Sequence, residues 1–230
     1  MQAPLKTTAR DFWTMILQEN VRYIFMLCNI RENGKKKCHV YYPRSEGEQV
    51  HFGEITITNM SIEAGEPTTT TQLQVEKKGT KLLLSHILWG KWPDQGVPLS
   101  EMVPFEIMKL ARKSTDRPSV IHCSAGVGRS GTVVAIEMCL QTLLHRQPLN
   151  LMEVCKELRG MRAHSVQMDI QYAYIVKCLL AYGWCCGLFL GNPALIQVRF
   201  YTHLTGVPPS HRLSLGPQHF KAQRCGVFHL

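Results

Sequence analysis

Residues 120–132 read VIHCSAGVGRSGT, and no other stretch restricts the fold as much. SVIH (residues 119–122) is a short apolar strand. Residues 132–144 are apolar nearly all round, the mark of a buried helix. Residues 124–130 connect the two. Gly126, Gly128 and Gly131 let that connection turn its N–H groups inward without a Cβ penalty. Inward N–H groups and a helix N-terminus together make an anion cradle.

Packing gives no reason to end the strand on Cys123 or to set Arg129 in the turn. Chemistry does. A free thiol has a pKa near 8.5, so an attacking cysteine needs help to stay ionised at neutral pH. The cradle formed by Ser124, Ala125, Gly126, Val127 and Gly128 stabilises the Cys123 thiolate first and phosphate oxygens next. The planar fork of Arg129 grips two phosphate oxygens at once, as lysine cannot. That grip tightens as the transferring group flattens, which is differential binding of the transition state. The Ser130 hydroxyl hydrogen-bonds the sulfur and eases its departure. His122 reads as an orienter that donates to the loop backbone rather than as a base. Cys-x5-Arg alone also fits a strand–turn–helix with an incidental buried cysteine; the complete run does not.

Length and composition set the frame. With 230 residues, 45% of them hydrophobic and 19% charged, the chain suits one globular domain with a tail. The net charge of +9 favours anionic partners. No Asp or Glu follows Asp169, whereas Arg199, Arg212, Lys221 and Arg224 do. The basic residues are dispersed and no recognition motif accompanies them, which argues against nucleic acid. Nine scattered cysteines, an odd count with no Cys-x-x-Cys pair, argue against a disulfide framework and a zinc site. The polar opening MQAPLKTTARDFW lacks the form of a signal peptide. The expected compartment is reducing and cytoplasmic. Residues 178–198 carry no charge, but Gly183, Gly187, Gly191, Asn192 and Pro193 interrupt them, which argues against a membrane span.

Strands dominate the first half and helices the second. VRYIFMLC (21–28) is a buried strand, CHVYY and FGEITI are β-rich, and TTTTQLQVE and TKLLLSHILW flank a hairpin turn at Lys77-Lys78-Gly79. Ser100 is placed to cap a helix running to about Lys113, with Pro104 in its first turn. Asn150 caps the next helix with Glu153 three residues on, as in a capping box. Residues 168–182 form the last helix. The fold class is therefore α/β, of the α+β kind: a mixed sheet flanked by helices.

The 120–132 run resembles the signature loop of the cysteine-dependent protein tyrosine phosphatases, and other segments match the same family. KWPDQGVP resembles its mobile acid loop, which implies Asp94 as general acid and Trp92 as hinge anchor. SVQMDIQYAY resembles its glutamine loop, with Gln167 aiming water and Gln171 assisting at the phosphate. RENGKKKCHVYYP resembles the loop whose glutamate fixes the signature arginine, so Glu32 would pair with Arg129 and Lys37 would meet Asp94. Arg159 and Arg162 also match, as supports of the loop or attractors of acidic substrate flanks. Taken singly, each of these segments also fits a solvated surface turn.

The resemblance covers residues 1–183, a partial catalytic domain. Residues 184–230 have no counterpart and read as a poorly ordered tail. The family's preceding third, with the tyrosine loop that deepens the pocket, has no match, which is expected to leave strand edges and apolar surface uncovered. Ala3 and His164 stand where the family commonly has glycine, and Ala163 where it has a larger residue or proline. The implied function is hydrolysis of phosphotyrosine on proteins through a phosphocysteine intermediate, with no metal or organic cofactor. The alternative is a weak or inactive phosphotyrosine-binding module.

Overall fold

The computed structural model describes residues 1–187. The elements in chain order are α1 (Ala9–Gln18), β1 (Tyr23–Met26), β2 (Arg31–Glu32), β3 (Lys35–Lys36), β4 (Gln49–Phe52), β5 (Ile55–Ala64), β6 (Thr69–Lys77), β7 (Thr80–Leu88), α2 (Val103–Arg112), β8 (Ser119–His122), α3 (Arg129–Leu144), α4 (Leu151–Met161) and α5 (Asp169–Cys185). Six strands form one mixed sheet in the order β4-β5-β6-β7-β1-β8, and β2 pairs with β3 apart from it. The chain divides into two compact units, Met1–Ile175 and Val176–Leu230. The sheet, the first four helices and the start of α5 lie in the first. No helix among the described residues is long and apolar enough to cross a membrane. The expected tail lies outside the described residues beyond Gly187; α5 itself continues to Cys185.

The sheet changes character along its width. Strands β4 to β7 form an antiparallel meander, whereas β7, β1 and β8 run parallel. All four residues of β1 are buried, as befits a parallel strand covered on both faces. In the meander Ile55, Ile57, Leu73, Val75, Leu82 and Leu84 alternate inward to a core they share with Phe12, Trp13 and Ile16 of α1. Lys78 and Gly79 both have positive φ, 49° and 83°, as a two-residue hairpin turn requires.

Three elements differ from the sequence expectation. CHVYY is not a strand: its aromatic side chains turn inward, and its backbone serves them, with Trp13 Nε1 donating to Tyr41 O at 2.8 Å. Ser100 does not cap α2. Its hydroxyl accepts from Met102 N at 3.3 Å, and the helix starts only at Val103, with Met102 at the cap. Helix α3 starts at Arg129 rather than Thr132, with Gly128 at its cap. Asn150 does cap α4, accepting from Met152 N and Glu153 N. The β8 edge carries Ser124 O and Ile121 O, which accept from Ala3 N and from the Met1 amine.

A buried polar chain crosses the core below β8. The Tyr41 hydroxyl lies 2.7 Å from both His86 Nε2 and His122 Nε2, and His122 Nδ1 lies 3.2 Å from Cys123 O. One arrangement of protons satisfies all three contacts. His122 Nδ1–H donates to the carbonyl, Tyr41 O–H donates to His122 Nε2, and His86 Nε2–H donates to Tyr41. His86 Nδ1 then remains a buried acceptor without a partner among the described residues. Burial, with the neighbouring His122, pushes His86 down to about 3. Burial likewise pushes His122 down to about 4, against its bond to the Cys123 carbonyl.

Both imidazoles titrate lower in the folded chain than the free value near 6.5, so the unfolded chain takes up protons first. Stability is therefore complete above about pH 6.5 and falls below it, each imidazole removing roughly 1.4 kcal/mol per pH unit in that window. Urea unfolding at about pH 7 and about pH 5 reads this slope, and His86→Gln flattens it. Asn150→Ala lowers stability by about 1 kcal/mol at either pH, through loss of the cap.

Candidate active site

Strand β8 delivers Cys123 to the C-terminal edge of the sheet, where the chain must reverse into α3. Gly126 makes the turn with φ +76°, and a Cβ there would fall within 2.4 Å of the Met1–Gln2 backbone. Gly131 is needed for proximity instead, since a Cβ would lie 2.9 Å from Val166 N. The Cys123 side chain is buried; Gly126 N donates to its sulfur at 3.2 Å, and the Ser130 hydroxyl shares a hydrogen bond with it at 3.2 Å. The positive end of α3 adds to them. Burial pushes Cys38 and Cys139 up to about 12 and Cys28 higher still, which makes them inert.

The carbonyl side of the turn is held outward by arginines. Arg162 donates to Gly126 O at 2.8 Å and Ala125 O at 2.9 Å. Val127 O accepts from Val166 N at 3.0 Å, and Arg159 holds Ser165 O and Val166 O. Tethered carbonyls leave the opposite, N–H face of the loop to an anion.

Arg129 occupies the first turn of α3 and is 3% exposed. Its two terminal nitrogens grip the Glu32 carboxylate at 2.6 and 2.8 Å. The same nitrogens donate to Leu27 O at 3.0 Å, Trp92 O at 3.1 Å and Asp94 Oδ1 at 3.0 Å. Burial opposes the charge, yet Glu32 raises the guanidinium pKa overall.

Asp94 therefore sits over the pocket, bonded to Arg129 on one oxygen and to Lys37 on the other. Burial works to raise its pKa, but Lys37 and Arg129 outweigh that and hold it below the usual carboxylate range. Trp92 anchors the segment: it is buried against Trp89 and Tyr174, and its Nε1 donates to Gly96 O at 2.9 Å. Gln95 takes φ +57° at the tip.

Gln167 lines the pocket from the start of α5. Gln171 lines it too but is otherwise engaged. Its Oε1 accepts from Gln167 N and Met168 N, and its Nε2 points to Gly96 O at 3.5 Å. It thus ties the glutamine segment to the Asp94 segment. Together these groups, with Ser124, Ala125 and Gly128, enclose a cavity of about 130 Å³. A neighbouring cavity of about 290 Å³ is lined by Arg159, His164, Val166 and Gln167; His164 stands there with φ +63°.

Of the expected site residues, Lys37, Asp94, Cys123, Ser124, Ala125, Gly128, Arg129, Gln167 and Gln171 line the cavity, Gly126, Ser130, Glu32, Trp92 and His122 bond to those residues or anchor their segments, and Val127 braces the loop through its carbonyl. The Tyr41–His86 pair under His122 went unread in the sequence. Its only signal was two aromatics in CHVYY, which alternation assigned to a strand. Among the described residues no cluster of three or more His, Cys, Asp or Glu is placed to hold a metal.

The arrangement joins a hydrogen-bonded sulfur, a loop of inward N–H groups, a forked cation and an overhanging carboxyl group around one cavity, a set suited to an anionic ligand. Known proteins point the same way. Human tyrosine-protein phosphatase non-receptor type 9 is 30% identical over 215 residues, covering 86% of this chain and 36% of that protein. Human receptor-type tyrosine-protein phosphatase zeta is 33% identical over 192 residues, covering 78% of this chain and 8% of that one. The chain thus spans about a third or less of these relatives. A solved structure concerning the PTPN18 fingerprint on distinct HER2 tyrosine phosphorylation sites superposes with a TM-score of 0.72 at 30% identity, covering 77% of this chain and 66% of its own. The family model for protein-tyrosine phosphatase matches residues 1–181, so the chain with this loop, fork and overhanging carboxylate belongs to the protein-tyrosine phosphatase family.

Proposed function

We propose that the chain hydrolyses phosphotyrosine on proteins by way of a phosphocysteine. The observation that carries this reading is the Arg129 fork, fixed by Glu32 and facing a sulfur hydrogen-bonded to Gly126 N and the Ser130 hydroxyl. The substrate phosphate enters the cradle and takes the Arg129 and loop N–H bonds. The dianion is a like charge beside Asp94, so it pushes the carboxyl pKa up and favours its protonated form. Cys123 Sγ attacks phosphorus in line, the bond to the tyrosyl oxygen breaks, and Asp94 passes its proton to that oxygen. Gln167 then aims a water at phosphorus. Asp94 accepts the water proton, the phosphorus–sulfur bond breaks, and inorganic phosphate leaves. Ser130 stabilises the sulfur as it recovers its charge. The residues that carry both steps are all side chains or backbone of this chain.

Three substitutions test the scheme on phosphotyrosine peptides. Cys123→Ser abolishes turnover, and turnover that persists with serine at this position overturns the proposal. Asp94→Ala lowers kcat by about 10²–10⁴, because proton transfer to the leaving oxygen is lost, and steady-state kinetics reads the drop. Glu32→Gln loosens the Arg129 fork and raises KM as well as lowering kcat, checked by steady-state kinetics. A phosphoserine peptide of the same sequence is the comparison for selectivity. A chain that binds phosphotyrosine peptide with no product burst is a binding module instead.

A further inference from the structure

Of the eight cysteines among the described residues, six are buried. Cys185 and Cys186 are the exceptions: they are adjacent, and both are exposed. Trp184 beside them is 55% exposed. The end of α5 produces this. Cys186 N donates to Tyr182 O at 2.9 Å and Gly187 N to Trp184 O at 3.0 Å. Gly187 then takes φ +72°, the left-handed conformation that commonly ends a helix. The last turn is thus closed on its own carbonyls, and an indole and two thiols are left side by side at the surface. Packing gives no reason to put them there, because both residue types are ordinarily withdrawn from water.

The sequence around the pair is equally distinctive. Lys177 is the last charged residue before it, and Arg199 is the next one after it. Leu188, Phe189 and Leu190 follow Gly187 directly. Beyond them come Arg199, Arg212, Lys221 and Arg224, with no Asp or Glu among them. An uncharged stretch that carries accessible thiols and is followed only by cations has the composition of a segment held at a membrane surface by fatty chains. Gly187, Gly191, Asn192 and Pro193 interrupt it, which argues against a spanning helix.

We propose that Cys185 and Cys186 are S-acylated and anchor the chain to the surface of an anionic membrane. The inference stands apart from the phosphatase reading. The co-reactant is a long-chain fatty acyl thioester of coenzyme A. The cysteine sulfur attacks the acyl carbonyl carbon, a new carbon–sulfur bond forms, and the bond from that carbon to the coenzyme A sulfur breaks. Coenzyme A leaves as a thiol, carrying the proton that cysteine gives up, and nothing is oxidised or reduced. One fatty chain gives only marginal membrane affinity, on the order of 10⁴ M⁻¹, and a second chain or a basic segment makes it stable. The pair offers two attachment points, and the cations that follow add attraction to anionic lipid. By contrast Cys28, Cys139 and Cys178 are fully buried and out of reach of such a reagent.

The test expresses the intact chain in animal cells and reads thioesters by hydroxylamine-sensitive exchange, which adds one mass tag per acylated cysteine. Two tags are expected on the parent chain, one on Cys185→Ser or Cys186→Ser, and none on the double variant. The double variant is also expected to lose about tenfold in its membrane-bound fraction. Its melting temperature stays that of the parent, and its turnover of a small aryl phosphate stays within about twofold. The melting temperature still reports folding if the phosphatase reading fails. A parent chain without tags overturns the proposal, as do tags or membrane binding that the double variant retains. A disulfide-linked dimer on non-reducing gels, lost in the double variant and found without thioester, assigns the pair to cross-linking and also refutes it. Acylated chain is expected to bind phosphatidylserine vesicles about tenfold more tightly than phosphatidylcholine vesicles at low salt, the difference shrinking as salt rises. Equal binding to both overturns the choice of an anionic membrane.

Discussion

The ion pair between Arg129 and Glu32 is the contact on which the rest of the site depends. Both charges are nearly out of water, which on its own opposes folding. Geometry makes the pair tolerable: two parallel bonds to the carboxylate, with the Leu27 and Trp92 carbonyls sharing the remaining N–H of one terminal nitrogen. Four segments distant in sequence are thereby fixed to one side chain: the end of β1, the β2–β3 hairpin, the Asp94 segment and the start of α3. A lysine offers neither the plane nor enough donors to do this.

That convergence explains why the pocket comes ready shaped. The parallel strands β1 and β8 bring Leu27 and Cys123 to the same sheet edge, in register through Met26 and His122. The Tyr41 chain fixes His122 from beneath, and Arg159 and Arg162 hold the turn from outside. Each support fastens backbone carbonyls, so the amides that face the pocket have little freedom to turn away. Gln171 extends the linkage to Gly96, so the Asp94 and Gln167 segments share a common post.

The hairpin that supplies Glu32 has a second face, and the two faces have opposite electrostatic fates. Inward, Glu32 and Lys37 are neutralised by Arg129 and Asp94. Outward, Arg31 and Lys36 face each other without a carboxylate among the described residues. The same short element thus anchors Arg129 on one side and carries exposed cations on the other.

Local patterns were legible in the sequence wherever the physics is local. The β8–loop–α3 run was readable because glycine placement, apolar periodicity and the Cys–Arg spacing all reside in thirteen consecutive residues. Asn150 and the Lys78–Gly79 turn were readable for the same reason. CHVYY, the Ser100 cap and the start of α3 were misread. The first two are held by distant partners: Tyr41 by His86 and His122, and Ser100 by Tyr174, whose hydroxyl donates to its carbonyl. By itself the sequence determined most of the strands and helices and which side chains are candidates for binding an anion. Only the tertiary structure decided that His86 reaches the Cys123 carbonyl through three contacts, that Gln171 is a tie between segments, and that Lys37 borders the pocket. Those relations depend on which strand lies beside which, and pairing across a sheet joins residues that no local period connects.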